Sequence, residues 1–406
     1  MRFGFTEEQD ELRRSVRRIL DGAGGVAAAR RTMAAGDGHD TVLWRQLARE
    51  LGLAGLVIPE RHGGAGLGWV ELVGVMEELG RTLACVPFLS TVGLATATIL
   101  AAGTEEQQQA ILPALARGEV TAALAWLEIG GDPDPAAVTT TARPAPGGHV
   151  LLAGKKRFVV DGHSADLLLV VARAPGTSGA DGLAVYEVPA GADGVRRHRL
   201  PTMDATRALA EVVLADVRVP AASRLGDGGW PAIARALARG RVALAAEQVG
   251  GAQRCLDLGV DYAKVRHQFG RPIGSFQAIQ HTLAELFVQV ESARSAAYYA
   301  GWAAAHATAD EADEAAAVAA AYCGDAYFHC AAETIQVHGG IGFTWEHDAH
   351  LYFKRARASR TLLGTPAFHR EDVARRLGLG VADDGADDGA PSTGLGTGPA
   401  TAPGVA

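Results

Sequence analysis

The apolar residues of this 406-residue chain change their period twice, and that limits its architecture more than any single motif. From residue 6 to about 118 the pattern is helical. Trp44, Leu47, Leu51 and Leu53 give one apolar stripe at helical spacing. Thr6 followed by Glu7, Glu8 and Gln9 reads as an N-cap with an acidic first turn, and Thr104-Glu105-Glu106-Gln107 caps another helix. Between them, Pro59 to Gly68 is a glycine-rich turn and Val70 to Leu79 is helical again. After Gly118 short apolar runs take over: Val150–Leu152, Phe158–Val160, Leu167–Val171, Leu183–Val188 and Glu211–Leu214. Gly147-Gly148, Asp161-Gly162 and Asp181-Gly182 mark turns between them. From Trp230 helix returns, with one long pattern over 231–264. Pro272 and Gly274 break it, Phe276 opens the next helix, and an Ala-rich helix over 311–337 stops at Gly339-Gly340. The order predicts an α+β chain: a helical domain over 1–120, a β domain over 121–225 and a helical bundle over 226–380. Residues 381–406 carry no apolar periodicity and are expected to be a disordered tail.

Composition narrows the function classes. Hydrophobic residues make up 48% of the chain, ample for a large core, and the net charge of −8 argues against a nucleic-acid surface. Cys85, Cys255, Cys323 and Cys330 form no CxxC pair, which suits a reducing compartment. The opening MRFGFTEEQDELRRSVRRIL has no apolar core or cleavage site of a signal peptide. No run is apolar enough to read as a membrane span. A soluble, cytoplasmic protein is expected.

Two stretches carry the functional information: RHQFGRPIGSFQAIQHTLAE (Arg266–Glu285) and ETIQVHGGIGF (Glu333–Phe343). Together they resemble the C-terminal signature of the acyl-CoA dehydrogenases. WRQLARELGLAGLVIPERHGGAGLG (44–68), EELGR (77–81), GTEEQQQAILPALARGE (103–119) and LAGKKRFVVDGHSADLLLV (152–170) each resemble further segments of that family. The resemblance covers nearly everything except the tail. It implies a helical domain, a middle β domain and a C-terminal four-helix bundle. It also implies FAD, an acyl-CoA substrate, an electron-transfer flavoprotein as electron acceptor, and a homo- or heterotetramer. Arg266, Gln268 and Phe269 match residues that reach the pyrophosphate and adenosine half of FAD bound mainly by a neighbouring subunit. A guanidinium suits the pyrophosphate because its planar fork gives charge-assisted bonds. Gln336, Gly339 and Gly340 match residues lining the same adenosine site. Phe158 and Val160 stand where the family has an aromatic and a Thr that contact the flavin ring.

The departures are as informative. Val160 cannot donate a side-chain hydrogen bond to flavin N5, although its backbone N–H could. Leu127-Glu128-Ile129-Gly130-Gly131-Asp132 replaces the family's Thr-Glu-Pro and its Gly-Ala-Gly-Ser-Asp loop. The family reaction removes an α-proton from the thioester while the β-hydride goes to flavin N5, so a carboxylate must lie within about 3 Å of that proton. Most members place the Glu where this chain has Leu363. A minority place it where this chain has Gly240, just before Arg241. Glu247 is the remaining candidate base, two helical turns and about 10 Å beyond Gly240; its alternative is a polar role inside the bundle. His338, His347, His350 and His369 show no metal-ligand spacing, and no metal is expected. Three readings follow: a self-sufficient dehydrogenase forming the α,β double bond of an acyl-CoA, a non-catalytic partner subunit that completes another chain's FAD site, or a flavin oxidase or monooxygenase on the same fold.

Overall fold

The computed structural model describes residues 4–36, 38–131 and 133–379. Asp132 and the tail over 381–406, with the expectations placed on them, lie outside the described residues.

Helices Glu7–Gly22 (α1), Val26–Ala35 (α2), Thr41–Arg45 (α3), Trp69–Arg81 (α4), Ala97–Ala102 (α5) and Glu105–Ala116 (α6) form the first part of the chain. α1 starts at the expected cap. The Thr6 hydroxyl accepts from the Gln9 backbone N–H at 3.3 Å, and the Gln9 side chain accepts from the Thr6 N–H at 2.8 Å. Two otherwise unpaired donors are satisfied in this way, and Thr104 and Gln107 repeat the arrangement on α6. Leu89–Thr96, just before α5, winds as a wide π-type helix, a form that recurs at functional sites.

Eight strands follow: Ala122–Ala125 (β1), Thr141–Ala145 (β2), His149–Val160 (β3), Leu167–Arg173 (β4), Leu183–Pro189 (β5), Val195–Arg199 (β6), Leu209–Pro220 (β7) and Arg224–Leu225 (β8). They make one mixed sheet in the order β6-β7-β3-β2-β4-β5-β8, with β1 parallel to β4. The runs Val150–Leu152 and Phe158–Val160 turn out to be two ends of the single strand β3. Its register with β7 shifts between Leu152 and Gly154 and again between Lys156 and Val159. Such bulges interrupt the alternation that would have marked one long strand. The second shift leaves Phe158 at φ 57°, a left-handed conformation that is costly for a residue with a side chain.

The last third is Gly229–Val265 (α7), Gln277–His306 (α8), Ala309–His338 (α9), Ala349–Ser359 (α10) and Pro366–Arg376 (α11). A short hairpin of His267–Gln268 (β9) and Arg271–Pro272 (β10) joins α7 to α8. α7 runs through the middle of the molecule, against α4 and α5 on one side and α8, α9 and α10 on the others. Glycines make this possible. A methyl group at Gly250 would meet the Glu77 carbonyl of α4, one at Gly80 would meet the Glu247 carbonyl of α7, and one at Gly251 would enter the Tyr327 ring of α9. The backbones therefore approach more closely than any other residue would allow. Glu77 adds a polar tie, pairing with Arg294 and accepting from the Tyr298 hydroxyl at 2.5 Å. Among the described residues no helix is long and apolar enough to cross a membrane, and all four cysteines are free and buried.

Gly250→Ala is expected to push α4 away from α7 and to cost about 1–3 kcal/mol, the range for overpacking a close-packed interior. Chemical denaturation checks it: the midpoint should fall with the slope unchanged.

Candidate functional site

The β9–β10 hairpin presents the first signature segment. Its two-residue turn is Phe269-Gly270, with φ of 51° and 77°, the left-handed pair that a tight hairpin requires. Glycine fits there and phenylalanine does not, so the turn carries a strained aromatic at its tip. Phe269 is 91% exposed and touches its own chain only edge-on, through Phe276 at 6.1 Å between centroids. Arg266 and Gln268 are exposed as well. Apart from that one edge-on contact with Phe276, the face of the Phe269 ring is open to solvent. A guanidinium, an amide and a flat ring on one projecting hairpin can receive an anion and a heterocycle from outside.

The second segment emerges beside it. α9 ends at His338, whose ring stacks on Tyr262 of α7 at 4.3 Å. Tyr262 in turn accepts the Arg266 N–H at 2.9 Å through its carbonyl, so the two segments leave adjacent helix ends. Gln336, Gly339 and Gly340 are exposed. A Cβ at Gly340 would have nothing within 4 Å. Internal packing therefore gives no reason for a glycine here; the close approach of something external does. Phe343 and Trp345, 70% and 65% exposed, flank the turn.

Phe158 and the loop after β1 also come together. A Cβ on Gly131 would lie 3.5 Å from the Phe158 ring, and the Arg157 N–H donates to the Leu127 carbonyl at 2.8 Å. Phe158 remains 37% exposed, whereas Val160 is buried in the core. Glu128 shapes this loop. Its carboxylate accepts from the backbone N–H and hydroxyl of Thr140 at 2.8 and 2.7 Å, from Thr139, and from the buried Lys156 ammonium at 2.7 Å. Burial pushes Lys156 down to about 8 despite its partner, while Lys156 and the threonines hold Glu128 down at about 2 against its own burial.

The two positions where a base was sought are 123 residues apart in sequence, from Gly240 to Leu363, yet they face each other. A Cβ on Gly240 would lie 3.3 Å from Leu363 Cδ1 and would collide with Leu94 of the π-type helix. Leu94 and Leu363 are both buried. Hydrocarbon thus fills the place from both sides. Arg241 turns aside, donating to the Leu363 carbonyl at 3.3 Å and lying over the Phe368 ring at 5.6 Å.

Glu247 lies elsewhere and is fully engaged. One carboxylate oxygen pairs with Arg207, just before β7; the other accepts from Arg355 of α10 at 3.0 Å. Arg355 also pairs with Asp204 at 3.0 Å and donates to the Thr206 hydroxyl at 2.9 Å and to its carbonyl at 2.8 Å. Burial alone would raise the Glu247 carboxyl, but the two guanidiniums outweigh it and hold it below the usual range. A base needs a carboxylate free to turn toward substrate and a pKa near the working pH; both oxygens here are paired with guanidiniums, and the pKa is held low. Sequence reasoning did not find its partners, because Arg207 and Arg355 come from the β region and from α10. Among the described residues no group of three or more His, Cys, Asp and Glu side chains could hold a metal ion. His369 lies against Gly364, pushed down to about 3 by burial and by Arg241.

The geometry has counterparts among known proteins. The chain matches the acyl-CoA dehydrogenase N-terminal domain over residues 6–119, the middle domain over 123–217 and the C-terminal domain over 227–378. Acyl-CoA dehydrogenase IpdE2 of Mycolicibacterium smegmatis is 37% identical over 371 residues, which are 91% of this chain and 98% of that protein. The ChsE4–ChsE5 complex from Mycobacterium tuberculosis contains a chain that superposes with a TM-score of 0.83 at 31% identity, covering 93% of this chain and 99% of that one. Butyryl-CoA dehydrogenase from Megasphaera elsdenii superposes with a TM-score of 0.87 at 26% identity, covering 93% and 100%. The chain belongs to the acyl-CoA dehydrogenase family.

Glu247→Gln should act on stability. Replacing one member of a buried charge cluster leaves two guanidiniums under-neutralised and is expected to cost about 3–5 kcal/mol. Thermal denaturation read beside activity checks this: a variant as stable as the parent but inactive would return Glu247 to the reaction.

Proposed function

We propose that this chain is an FAD-dependent acyl-CoA dehydrogenase-family subunit that takes part in α,β-desaturation of an acyl-CoA thioester, with the catalytic carboxylate supplied by another chain. One observation carries the second half: the two positions able to hold the base fold onto each other as glycine and leucine, sealed by Leu94. Neither position carries a side chain that can accept a proton, which supports a base from another chain. FAD, when bound, supplies the acceptor for the substrate's β-hydride.

What this chain contributes is recognition at its surface. Arg266 neutralises a pyrophosphate, Phe269 covers one face of an adenine, and Gln336 with the open Gly339–Gly340 backbone takes the adenosine edge. These groups point outward and find little to bind in their own subunit, which suits a cofactor held mainly by a neighbour. ChsE4–ChsE5, a complex of two different chains, is a structural relative and supports the mixed-assembly reading by likeness. An electron-transfer flavoprotein is the proposed electron acceptor, and the cytoplasm the proposed location. A self-sufficient enzyme, or an oxidase or monooxygenase on the same fold, is the rival that the experiment addresses.

The chain should be purified alone and co-expressed with an acyl-CoA dehydrogenase-like neighbour, recording flavin absorbance and acyl-CoA-dependent dye reduction. Activity is expected with the neighbour only. A yellow, active homo-oligomer overturns the proposal, and hydrogen peroxide or a hydroxylated product points to the oxidase or monooxygenase. In the mixed assembly Arg266→Ala should weaken FAD retention by roughly tenfold or more, the loss expected for one charge-assisted hydrogen bond.

A further inference from the structure

His338 closes α9 immediately before the exposed glycine turn, and it is buried. Its Nδ1 lies 2.7 Å from the Thr334 carbonyl, so that nitrogen carries the proton. Its Nε2 is buried with no hydrogen-bond partner in the protein. Hydrogen bonding therefore explains half of the ring at most. The other constraint is stacking: Tyr262 covers His338 at 4.3 Å and 27°, and His347 lies against it at 4.3 Å and 46°. His347 Nδ1 accepts the Ala349 N–H at 3.1 Å, which places its own proton on Nε2 and keeps it neutral.

This stack is fastened from the other end of the chain. Arg30 on α2 donates to the Trp345 carbonyl at 2.9 Å, to the His347 carbonyl at 3.0 Å and to the Asp348 carboxylate at 2.7 Å. One guanidinium thus fixes the segment that carries His347. On the far side, Tyr262 lies in the last turn of α7, four residues before Arg266, whose N–H its carbonyl accepts. Gly339 then departs from the helix at φ 64°, ψ −144°, a conformation open essentially to glycine alone. Gly342 anchors the turn against the His338 Cβ and the Ile335 carbonyl, whereas a Cβ at Gly339 or Gly340 would touch nothing. The rings of Tyr262, His338 and His347 lie beneath it.

We propose that His338 is a positioning residue: through the Tyr262–His338–His347 stack, fastened by Arg30, it holds the Gly339–Phe343 turn and the Arg266–Phe269 hairpin in the mutual geometry that receives a nucleotide. That the nucleotide is FAD rests on the function proposed above. Burial lowers the pKa of both histidines; for His338 the Thr334 carbonyl opposes it, and for His347 His338, Arg30 and Arg254 add to it while Asp348 opposes. His350 and Lys354 lie against Trp345, and Glu346 sits between Trp345 and His347 in the same segment. A histidine with a lowered folded pKa resists protonation when folded. The ordering of the turn is therefore complete above the ordinary imidazole value of about 6.5 and is lost as pH falls below it toward the folded value.

The test compares His338→Phe, which keeps a ring to stack, with His338→Ala, which removes it, in the full assembly. Amide hydrogen exchange over 339–344 is read as protection, with FAD affinity measured by titration. His338→Ala should lose protection in this segment and weaken FAD binding by about three- to tenfold, the value of one aromatic stacking contact. His338→Phe should retain both, and should show a smaller loss of protection between about pH 7.5 and 5.5 than the parent. Unchanged protection in His338→Ala, or equal loss in His338→Phe, overturns the proposal. Expected protection changes in an assembly that binds no FAD would leave the stack standing and overturn the function proposed above.

Discussion

A carboxylate buried in the middle of α7 must be neutralised, and much of the molecule is arranged around that requirement. Glu247 is buried, and an unpaired charge there would be costly. Its two partners come from distant parts of the chain. Arg207 precedes β7 in the sheet, and Arg355 projects from α10 while also holding Asp204 and Thr206. The cluster therefore joins the sheet to two helices of the C-terminal bundle at one point. Charges in low dielectric need directional partners as well as nearby ones. The approach of these elements is consequently fixed more narrowly than apolar contact alone would fix it.

The same helix carries the glycines that let α4 and α9 come close, and it carries Gly240. Around Gly240 the interior is hydrocarbon. Leu94 and Leu363 close over it, and the neighbouring Arg241 is turned toward a carbonyl and an aromatic face. The outer ends of α7 and α9 are the opposite: strained, open and polar, with an aromatic tip that its own subunit does not cover. The projecting hairpin and glycine turn are thus open at the surface, while the space around Gly240 inside is packed with hydrocarbon. The mixed assembly proposed above is the reading that takes in both observations.

Helix and strand order were legible in the sequence because apolar period and capping are local properties. α7 ends at Val265, one residue past the expected pattern over 231–264 and short of Pro272, α9 ends just before Gly339, and the caps at Thr6 and Thr104 form as read. β3 was split into two runs, because a bulge breaks alternation without ending a strand. The surface signature was also legible, since Arg266–Phe269 and Gln336–Gly340 are short contiguous strings. Glu247 was visible as a lone acid in a helix, but its role was not, because the residues that define it lie 40 positions before and 108 after it.

The sequence by itself determined the three-part order, the family resemblance and the missing carboxylate at two positions. Each of these is set by residue identity or near-neighbour spacing. Only the tertiary structure decided that Gly240 and Leu363 occupy one spot, that Glu247 is consumed by two arginines, and that Tyr262, His338 and His347 form one stack. Those facts depend on which faces of distant segments meet. That is settled by the simultaneous burial of apolar surface and neutralisation of charge across the whole chain, which no local pattern encodes.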